Sequence, residues 1–401
     1  MTKVDPRRVI ADLRELERRT GGPDGARRLC WTEDWSAARA FLRERLAELD
    51  GVRPEEDEAG NLWARLPGRG PETVAVGSHL DSVPGGGWLD GALGVMAALE
   101  VLRVAAESGA ERSVALVDFA DEEGARFGRS LFGSSAVGGT LDPAALEGLR
   151  DSGGRAIREV LAENGVDLDA APRAGRMLEG LAAYLELHIE QGPVLESEGI
   201  PAAAVTGTVG VERHRFRFEG QTAHAGTTPM DMRRDAGLAA AATALAVEEL
   251  ASRHGGVGTC GAMGLEPGVV TAVPGVAELA VDLRHAAGEP LAAMLEDARR
   301  AARTAASAHG CALAEHAIWR IEPIAFDQRL VEAIDTDRTL VSGALHDAAE
   351  MARHVPTAMV FAPSTGGLSH TKEEDTPEPH LERAIEAYGD LALRVIAGEL
   401  V

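Results

Sequence analysis

Residues 77–91, GSHLDSVPGGGWLDG, crowd metal-type ligands and glycines into one short segment. The segment follows the apolar run TVAV and contains His79, Asp81 and Asp90, with three consecutive glycines at positions 85–87. An apolar run bounded by turn residues predicts a buried strand, and the following DGALGVMAALEVLRVAA predicts a helix. Strand, glycine-rich turn and helix together indicate an α/β unit whose site lies at the carboxyl end of the strand.

The same alternation extends through most of the chain. SVALVDF, YLELHIE and TAMVFAP predict further strands, and HLERAIEAYGDLALRVIAG predicts a closing helix. Strands that alternate with helices are typical of an α/β domain with a mostly parallel sheet. We expect this domain to comprise residues 1–207 and 319–401.

Residues 208–318 have a different pattern and predict an inserted second domain. TVGVERHRFRFEG, GVVTAV, AELAVDLRH and CALAEHAIW predict strands, and two alanine-rich segments between them predict helices. The resulting order β-α-β-β-α-β predicts a compact α+β domain with a ferredoxin-like, four-stranded sheet and two helices.

Composition and charge exclude several functions. The chain has 401 residues and a formal net charge of −24, which argues against nucleic acid and against an anionic membrane as a partner. The amino-terminal segment has the pattern of an amphipathic helix rather than that of a signal peptide. The three cysteines, Cys30, Cys260 and Cys311, are widely spaced, which favours a reducing, cytoplasmic location.

Ligand-type residues recur at four predicted strand ends, in SHLD, DEEG, LHIEQG and GLSHTKEED. A single histidine or acidic pair is more often structural or solvated, but four such clusters at one sheet edge favour a shared site. Imidazole and carboxylate without thiolate suit Zn²⁺, Mn²⁺, Co²⁺ or Ni²⁺, and the number of ligands allows two ions. Asp81, two residues after His79, is placed to orient the histidine ring. The glycines form no phosphate-binding fingerprint, so a nucleotide site is set aside.

Five motifs together resemble one branch of the dinuclear-metal amidohydrolases and peptidases. The motifs are GSHLDSVPGGGWLDGALGVMAALE, FADEEGARFG, LELHIEQGPVLE, AHAGTTPMDMRRDA and PSTGGLSHTKEED. The branch includes N-carbamoyl-L-amino acid hydrolase, allantoate amidohydrolase and β-ureidopropionase, and the resemblance covers nearly the whole chain. It implies a metallopeptidase-like catalytic domain, an inserted lid and dimerisation domain, and hydrolysis of a ureido bond in a small carboxylated metabolite within a homodimer.

The resemblance also implies a role for individual residues. Two divalent metal ions would be bridged by Asp90 and completed by His79, Glu123, His188 and His370. Glu122 would be the general base, and His224 would reach the partner subunit's site to stabilise the oxyanion. Substrate would be held by Gln191 and Arg284, and the metal ligands would be supported by Asp81, Asp347 and Glu374.

The positions at which the sequence departs from the pattern of this branch are ones expected to take part in substrate recognition. Gly268 and Thr271 stand where asparagines are expected, and the second of these positions binds the substrate carboxylate in the family. Val211 replaces a common glutamine, and Leu345 replaces the usual glycine. These changes leave an ordinary N-acyl amide open as the substrate. A catalytically dead binding or scaffold protein is a further alternative, against which the presence of Glu122 speaks.

Overall fold

The computed structural model describes residues 3–401 and divides them into two compact units. The first unit runs up to Thr206 and resumes from Ala325 to Val401, and the second comprises Gly207–Ile324. The second unit ends beyond residue 318 because its last strand continues to Ile321.

Strands and helices are numbered along the chain. The strands are β1 (Gly21–Gly22), β2 (Gly25–Ala26), β3 (Arg53–Glu56), β4 (Leu62–Leu66), β5 (Thr73–His79), β6 (Ser113–Phe119), β7 (Leu181–Ile189), β8 (Ala203–Thr208), β9 (Gly210–Glu219), β10 (Ala223–His224), β11 (Val257–Glu266), β12 (Ala272–Val273), β13 (Val276–His285), β14 (Ala312–Ile321), β15 (Ile324–Ala325), β16 (Thr339–Ser342) and β17 (Thr357–Ala362). The α-helices are α1 (Pro6–Thr20), α2 (Glu33–Ala47), α3 (Ala92–Ser108), α4 (Phe132–Val137), α5 (Pro143–Leu146), α6 (Ile157–Glu163), α7 (Val194–Glu198), α8 (Ala236–His254), α9 (Gly288–Ala308), α10 (Gln328–Ala333), α11 (Asp347–Met351) and α12 (Glu378–Ile396). Short 3₁₀ helices cover Ala171–Leu178, Met230–Met232 and Thr365–Gly367.

The first unit is built on a nine-stranded mixed sheet with the order β15-β8-β17-β7-β5-β6-β4-β3, in which β16 also pairs with β8. The four central strands β17, β7, β5 and β6 are parallel, and β8 and β4 flank them in antiparallel pairs. The predicted mostly parallel sheet is therefore confirmed at its centre and gives way to antiparallel strands at both sides. Every residue of β5 is buried, as expected of a central strand with both faces covered.

Local sequence explains the first helix. The Asp5 side chain accepts a hydrogen bond from the main-chain N–H of Arg7, and Pro6 occupies the first turn. Leu13 and Leu16 lie on the buried face of α1, which packs against α2 and α3. These contacts confirm the predicted amphipathic helix. No helix of the described residues has both the length and the apolarity needed to cross a bilayer.

The second unit has a four-stranded antiparallel sheet in the order β11-β13-β9-β14, with α8 and α9 packed on one face. The predicted strand over GVVTAV was wrong. Only Ala272–Val273 are extended there, and they form a separate ribbon with β10. The sheet uses β11 instead, which has three glycines and an almost wholly exposed burial pattern. A glycine-rich edge strand with no buried alternation gives little sequence signal, which explains the error.

Candidate metal centre

A carboxylate from the loop after β5 lies at the centre of the site. Asp90 Oδ1 is 3.2 Å from His188 Nε2 and 3.6 Å from His79 Nε2. Its other oxygen, Oδ2, is 3.4 Å from His370 Nε2, which in turn is 3.3 Å from Glu123 Oε2. Two groups of potential metal ligands therefore share Asp90, and the five residues are called the ligand cluster below.

Parallel strands bring these residues together. The strand β5 ends at His79, β7 ends one residue after His188, and Glu123 follows β6. His370 lies in the segment after β17 and has a left-handed backbone with φ of 58°. Because carboxyl ends of parallel strands meet at one edge of a sheet, residues far apart in sequence converge there.

The histidine rings are oriented to present Nε2. His79 Nδ1 lies 3.1 Å from the main-chain oxygen of Asp81, and His188 Nδ1 lies 2.9 Å from that of Ile189. Each Nδ1 therefore donates its hydrogen to a carbonyl, so in the neutral ring Nε2, on the side of Asp90, supplies the lone pair that a metal ion needs. Neighbouring ligands of a tetrahedral zinc with bonds of about 2.0–2.1 Å lie about 3.3 Å apart. The separations in the ligand cluster fit that spacing.

Two glycines make room for this arrangement. A Cβ atom on Gly91, where φ is 62°, would lie 2.4 Å from His79 Cε1. A Cβ atom on Gly87 would lie 2.2 Å from Glu374 Oε1. The glycines of the opening segment therefore matter for close approach as well as for turn geometry.

The Glu374 carboxylate is hydrogen-bonded to the loop that carries Asp90. Its Oε1 accepts hydrogen bonds from the main-chain N–H groups of Leu89 and Asp90, at 3.1 and 3.0 Å. Its Oε2 is 3.0 Å from Ser369 Oγ, which also lies 3.0 Å from Asp90 Oδ2. Sequence analysis did not single out Ser369, although its position next to His370 was a signal.

The Asp81 carboxylate contacts more than the His79 ring. Its Oδ1 lies 3.5 Å from His79 Nδ1, which is farther away than the Asp81 main-chain oxygen. The two carboxylate oxygens accept hydrogen bonds of 3.2 Å from the main-chain N–H groups of Glu122 and Glu123. Asp81 thus links the ends of β5 and β6.

Glu122 is buried beside the ligand cluster, with Oε2 3.6 Å from His79 Nε2, but belongs to neither ligand group among the described residues. Burial raises the pKa of Glu122 well above the usual glutamate value, His79 opposes this, and the charge of Asp347 raises it further. Burial therefore favours the protonated form of Glu122 more than it would for an exposed glutamate, which suits a group that accepts a proton.

Polar residues that sequence analysis did not single out surround His188. The His346 ring lies 4.5 Å from the His188 ring, and Glu186 completes a third potential ligand group with these two histidines. Glu186 accepts hydrogen bonds from Ser78 Oγ and from the main chain of Ala348, so its carboxylate is already engaged. Its position two residues before His188 was the available signal.

Gln191, predicted to hold substrate, contacts the ligand cluster directly. Its Nε2 donates a 2.9 Å hydrogen bond to Asp90 Oδ2 and lies 3.2 Å from Ser369 Oγ. Its backbone is left-handed, with φ of 58°, and its main-chain N–H donates to Ser364 Oγ. A non-glycine residue held in this conformation is typical of functional sites.

The remaining predicted residues belong to the second unit. Exposed His224 pairs with Ala272 across the β10–β12 ribbon, and the main-chain oxygen of Thr271 accepts a hydrogen bond from Ala225. Arg284 stands opposite Val211 in the sheet and donates to Asp282 at 2.8 Å. Within this unit, His224 and Thr271 therefore lie at the same short ribbon, whereas Arg284 lies on the four-stranded sheet.

Comparisons with known proteins identify the family of this chain. Residues 75–394 match the model of Peptidase family M20/M25/M40. The chain is 37% identical to N-carbamoyl-L-amino acid amidohydrolase of Geobacillus stearothermophilus, over 91% of each sequence. It is 33% identical to allantoate amidohydrolase of Bacillus subtilis, over 92% of this chain and 93% of the relative.

The fold matches a solved structure equally well. An amidase of the hydantoinase/carbamoylase family from Burkholderia multivorans superposes with a TM-score of 0.89 at 33% identity, over 98% of both chains. Matches of this extent and identity cover both units of the chain. The chain therefore belongs to Peptidase family M20/M25/M40, a family of metal-dependent hydrolases.

Proposed function

We propose that the chain is a two-metal hydrolase of a ureido C–N bond in a small carboxylated metabolite. An N-carbamoyl amino acid or an allantoate-like compound is the preferred substrate, and ammonia and carbon dioxide are the expected by-products. The observation that carries the proposal is that the two carboxylate oxygens of Asp90 face different groups of potential metal ligands. Glu122 belongs to neither group. The names of the amidohydrolase relatives support the ureido bond.

Two divalent ions, zinc or else manganese, cobalt or nickel, would be held by the ligand cluster. His79 and His188 would complete one site, and Glu123 and His370 the other, with Asp90 between them. When bound, the ions would polarise the scissile carbonyl and make the attacking water more acidic. Glu374 would keep Asp90 in place through the two main-chain bonds described above.

Proton transfer falls to Glu122. Its carboxylate would accept the proton of the attacking water and then deliver it to the leaving nitrogen. The raised pKa suits both halves of this task, because the group must hold the proton between the two steps.

His224 is proposed to stabilise the oxyanion in the partner subunit's site. Its Nδ1 accepts hydrogen bonds from the main-chain N–H groups of Gly226 and Thr227, at 3.0 and 3.2 Å. The neutral ring therefore carries its hydrogen on Nε2, which gives the exposed edge of the ring a donor. A fixed donor of this kind is what a developing oxyanion needs.

The second unit is also proposed to recognise the substrate carboxylate and to form the dimer. Arg284 would pair with the carboxylate, and Thr271 would supply a single hydroxyl. Dimerisation is supported by the position of β11 at the edge of its sheet and by exposed apolar side chains, since Leu245 and Val257 are 66% and 62% exposed. The free cysteines suit a cytoplasmic location.

The experiment that tests the function is a substrate screen with metal-loaded protein. N-carbamoyl amino acids, allantoate, ureidoglycolate and β-ureidopropionate would be assayed for ammonia, and matching N-acetyl amino acids for acetate. Ammonia from at least one ureido compound, lost in Glu122→Gln, is the expected result. Acetate release alone would favour an N-acyl amide hydrolase, and no turnover of either class would contradict the proposal.

A further inference from the structure

A buried arginine lies next to the ligand cluster and forms no ion pair with any residue of the described chain. Arg28 is 0% exposed, follows β2, and donates from Nε to the main-chain oxygen of Leu80 at 2.7 Å. Leu80 stands between His79 and Asp81. Among the described residues, neither terminal nitrogen of the Arg28 guanidinium has a hydrogen-bond partner.

The other buried arginines of the described chain are paired. Arg39 donates to Asp118 at 2.7 Å, and Arg103 donates to Asp12 at the same distance. A buried charge is costly unless other charges compensate it. Because Arg28 forms no ion pair with any described residue, charges farther away must stabilise its guanidinium.

The acidic residues of the site provide that compensation. Burial lowers the pKa of Arg28, and the carboxylates that act most strongly against this are those of Asp90, Glu374, Asp81 and Glu123. Two of these four belong to the ligand cluster and the other two support it. The guanidinium is thus placed to act on the whole acidic set rather than on one member.

The main chain fixes this placement. Arg28 N–H donates to Ser82 Oγ at 3.1 Å, and the main-chain N–H of Ser82 donates back to the Arg28 oxygen at 3.0 Å. Two residues earlier, Ala26 N–H donates to the Gly86 oxygen at 2.8 Å. The segment that carries Arg28 is therefore bonded along the same loop that presents Asp90.

We propose that Arg28 is a positioning residue whose charge balances the acidic ligand set, holding its carboxylates in place while limiting how tightly metal binds. The inference rests on the proposed metal centre. Its sign follows from electrostatics, because the guanidinium attracts the carboxylates whether or not metal is present but repels only the bound cations. Removing the charge should therefore make metal binding tighter and make stability depend more on metal.

The test compares Arg28→Met, which removes the charge, with Arg28→Lys, which keeps it, and with Arg103→Met as a control. The Arg103 partners, Asp12 and Glu100, lie on α1 and α3 and bind no metal in the proposal. Zinc dissociation constants are measured by competition with a chromophoric chelator, and Tm is measured with and without zinc. Neither measurement requires turnover.

Zinc should bind Arg28→Met about ten-fold or more tightly than wild type, with a larger zinc-induced rise in Tm. Arg28→Lys and Arg103→Met should stay within about three-fold of wild type in zinc affinity, whatever their loss of Tm. If Arg28→Met folds only when zinc is supplied, the same conclusion follows, because the ions replace the missing charge.

Unchanged or weaker zinc binding by Arg28→Met, or a chain that stays unfolded in saturating zinc, would overturn the inference and leave Arg28 a purely structural residue. These outcomes differ from failure of the proposed function, in which wild-type protein itself would bind no metal or release no ammonia.

Discussion

Gly91→Ala should displace His79, a proposed metal ligand, while leaving the fold intact. The new Cβ atom would lie 2.4 Å from Cε1 of His79 and 2.5 Å from both ring nitrogens. Carbon atoms in ordinary contact are at least about 3.5 Å apart, so the His79 ring must move by about 1 Å. Metal–ligand distances tolerate only about 0.2 Å. We therefore expect metal affinity to fall by at least about 10-fold to 100-fold and turnover by about 100-fold.

Gly109→Ala is the matched control, because Gly109 follows the other end of α3. Its φ is 76°, a conformation that alanine also rarely adopts, but no described residue beyond its two chain neighbours has an atom within 4 Å of the added Cβ. Both variants should lose roughly 1–3 kcal/mol of stability from backbone strain. Only Gly91→Ala should lose metal, measured by elemental analysis and chelator competition beside chemical denaturation. Equal metal content and activity in the two variants would refute the steric argument.

Four further outcomes are expected. Glu122→Gln should keep its metal by elemental analysis and lose about 10²-fold to 10⁴-fold in kcat, whereas loss of metal would make Glu122 a ligand. The acid limb of the kcat/KM profile should lie above the usual glutamate pKa of about 4.3. Burial raises the pKa of Glu122, which must be ionised to accept a proton, so activity should fall as pH falls through that raised pKa. An acid limb at or below the usual glutamate pKa would contradict this prediction. Mixing His224→Ala with Glu122→Gln chains should restore partial activity in hybrid dimers, and no recovery despite proven subunit exchange would place His224 in its own chain's site. Thr271→Asn should lower KM for simple N-carbamoyl amino acids by up to about 10-fold to 150-fold, the equivalent of one hydrogen bond to a charged group, and an unchanged KM would show that the substitution is neutral.

Residues at the carboxyl ends of parallel strands were predictable from sequence. The runs that end at His79 and His188 are apolar and short, so their strand character and their shared sheet edge follow from pattern alone. The five quoted motifs then suggested a role for each residue of the ligand cluster.

Features that depend on packing in three dimensions were not predictable. β11 carries no buried alternation, so its place in the sheet was missed. The hydrogen bond from Gln191 to Asp90 depends on the left-handed backbone of Gln191, which no local sequence pattern predicts. Arg28 lies in a segment without any motif typical of metal sites. Its relation to the site is visible only in the structure, where it is buried beside the ligand cluster.

Hydrolysis of a ureido bond with the help of bound metal is the activity proposed for this chain. The most direct test titrates chelator-stripped protein with zinc or manganese and follows ammonia released from an N-carbamoyl-L-amino acid, with allantoate run in parallel. We expect no release from stripped protein, and activity that rises with added metal and saturates at two ions per chain. Ammonia release at full rate without metal, or two tightly bound ions with no release from any ureido compound, would contradict the account.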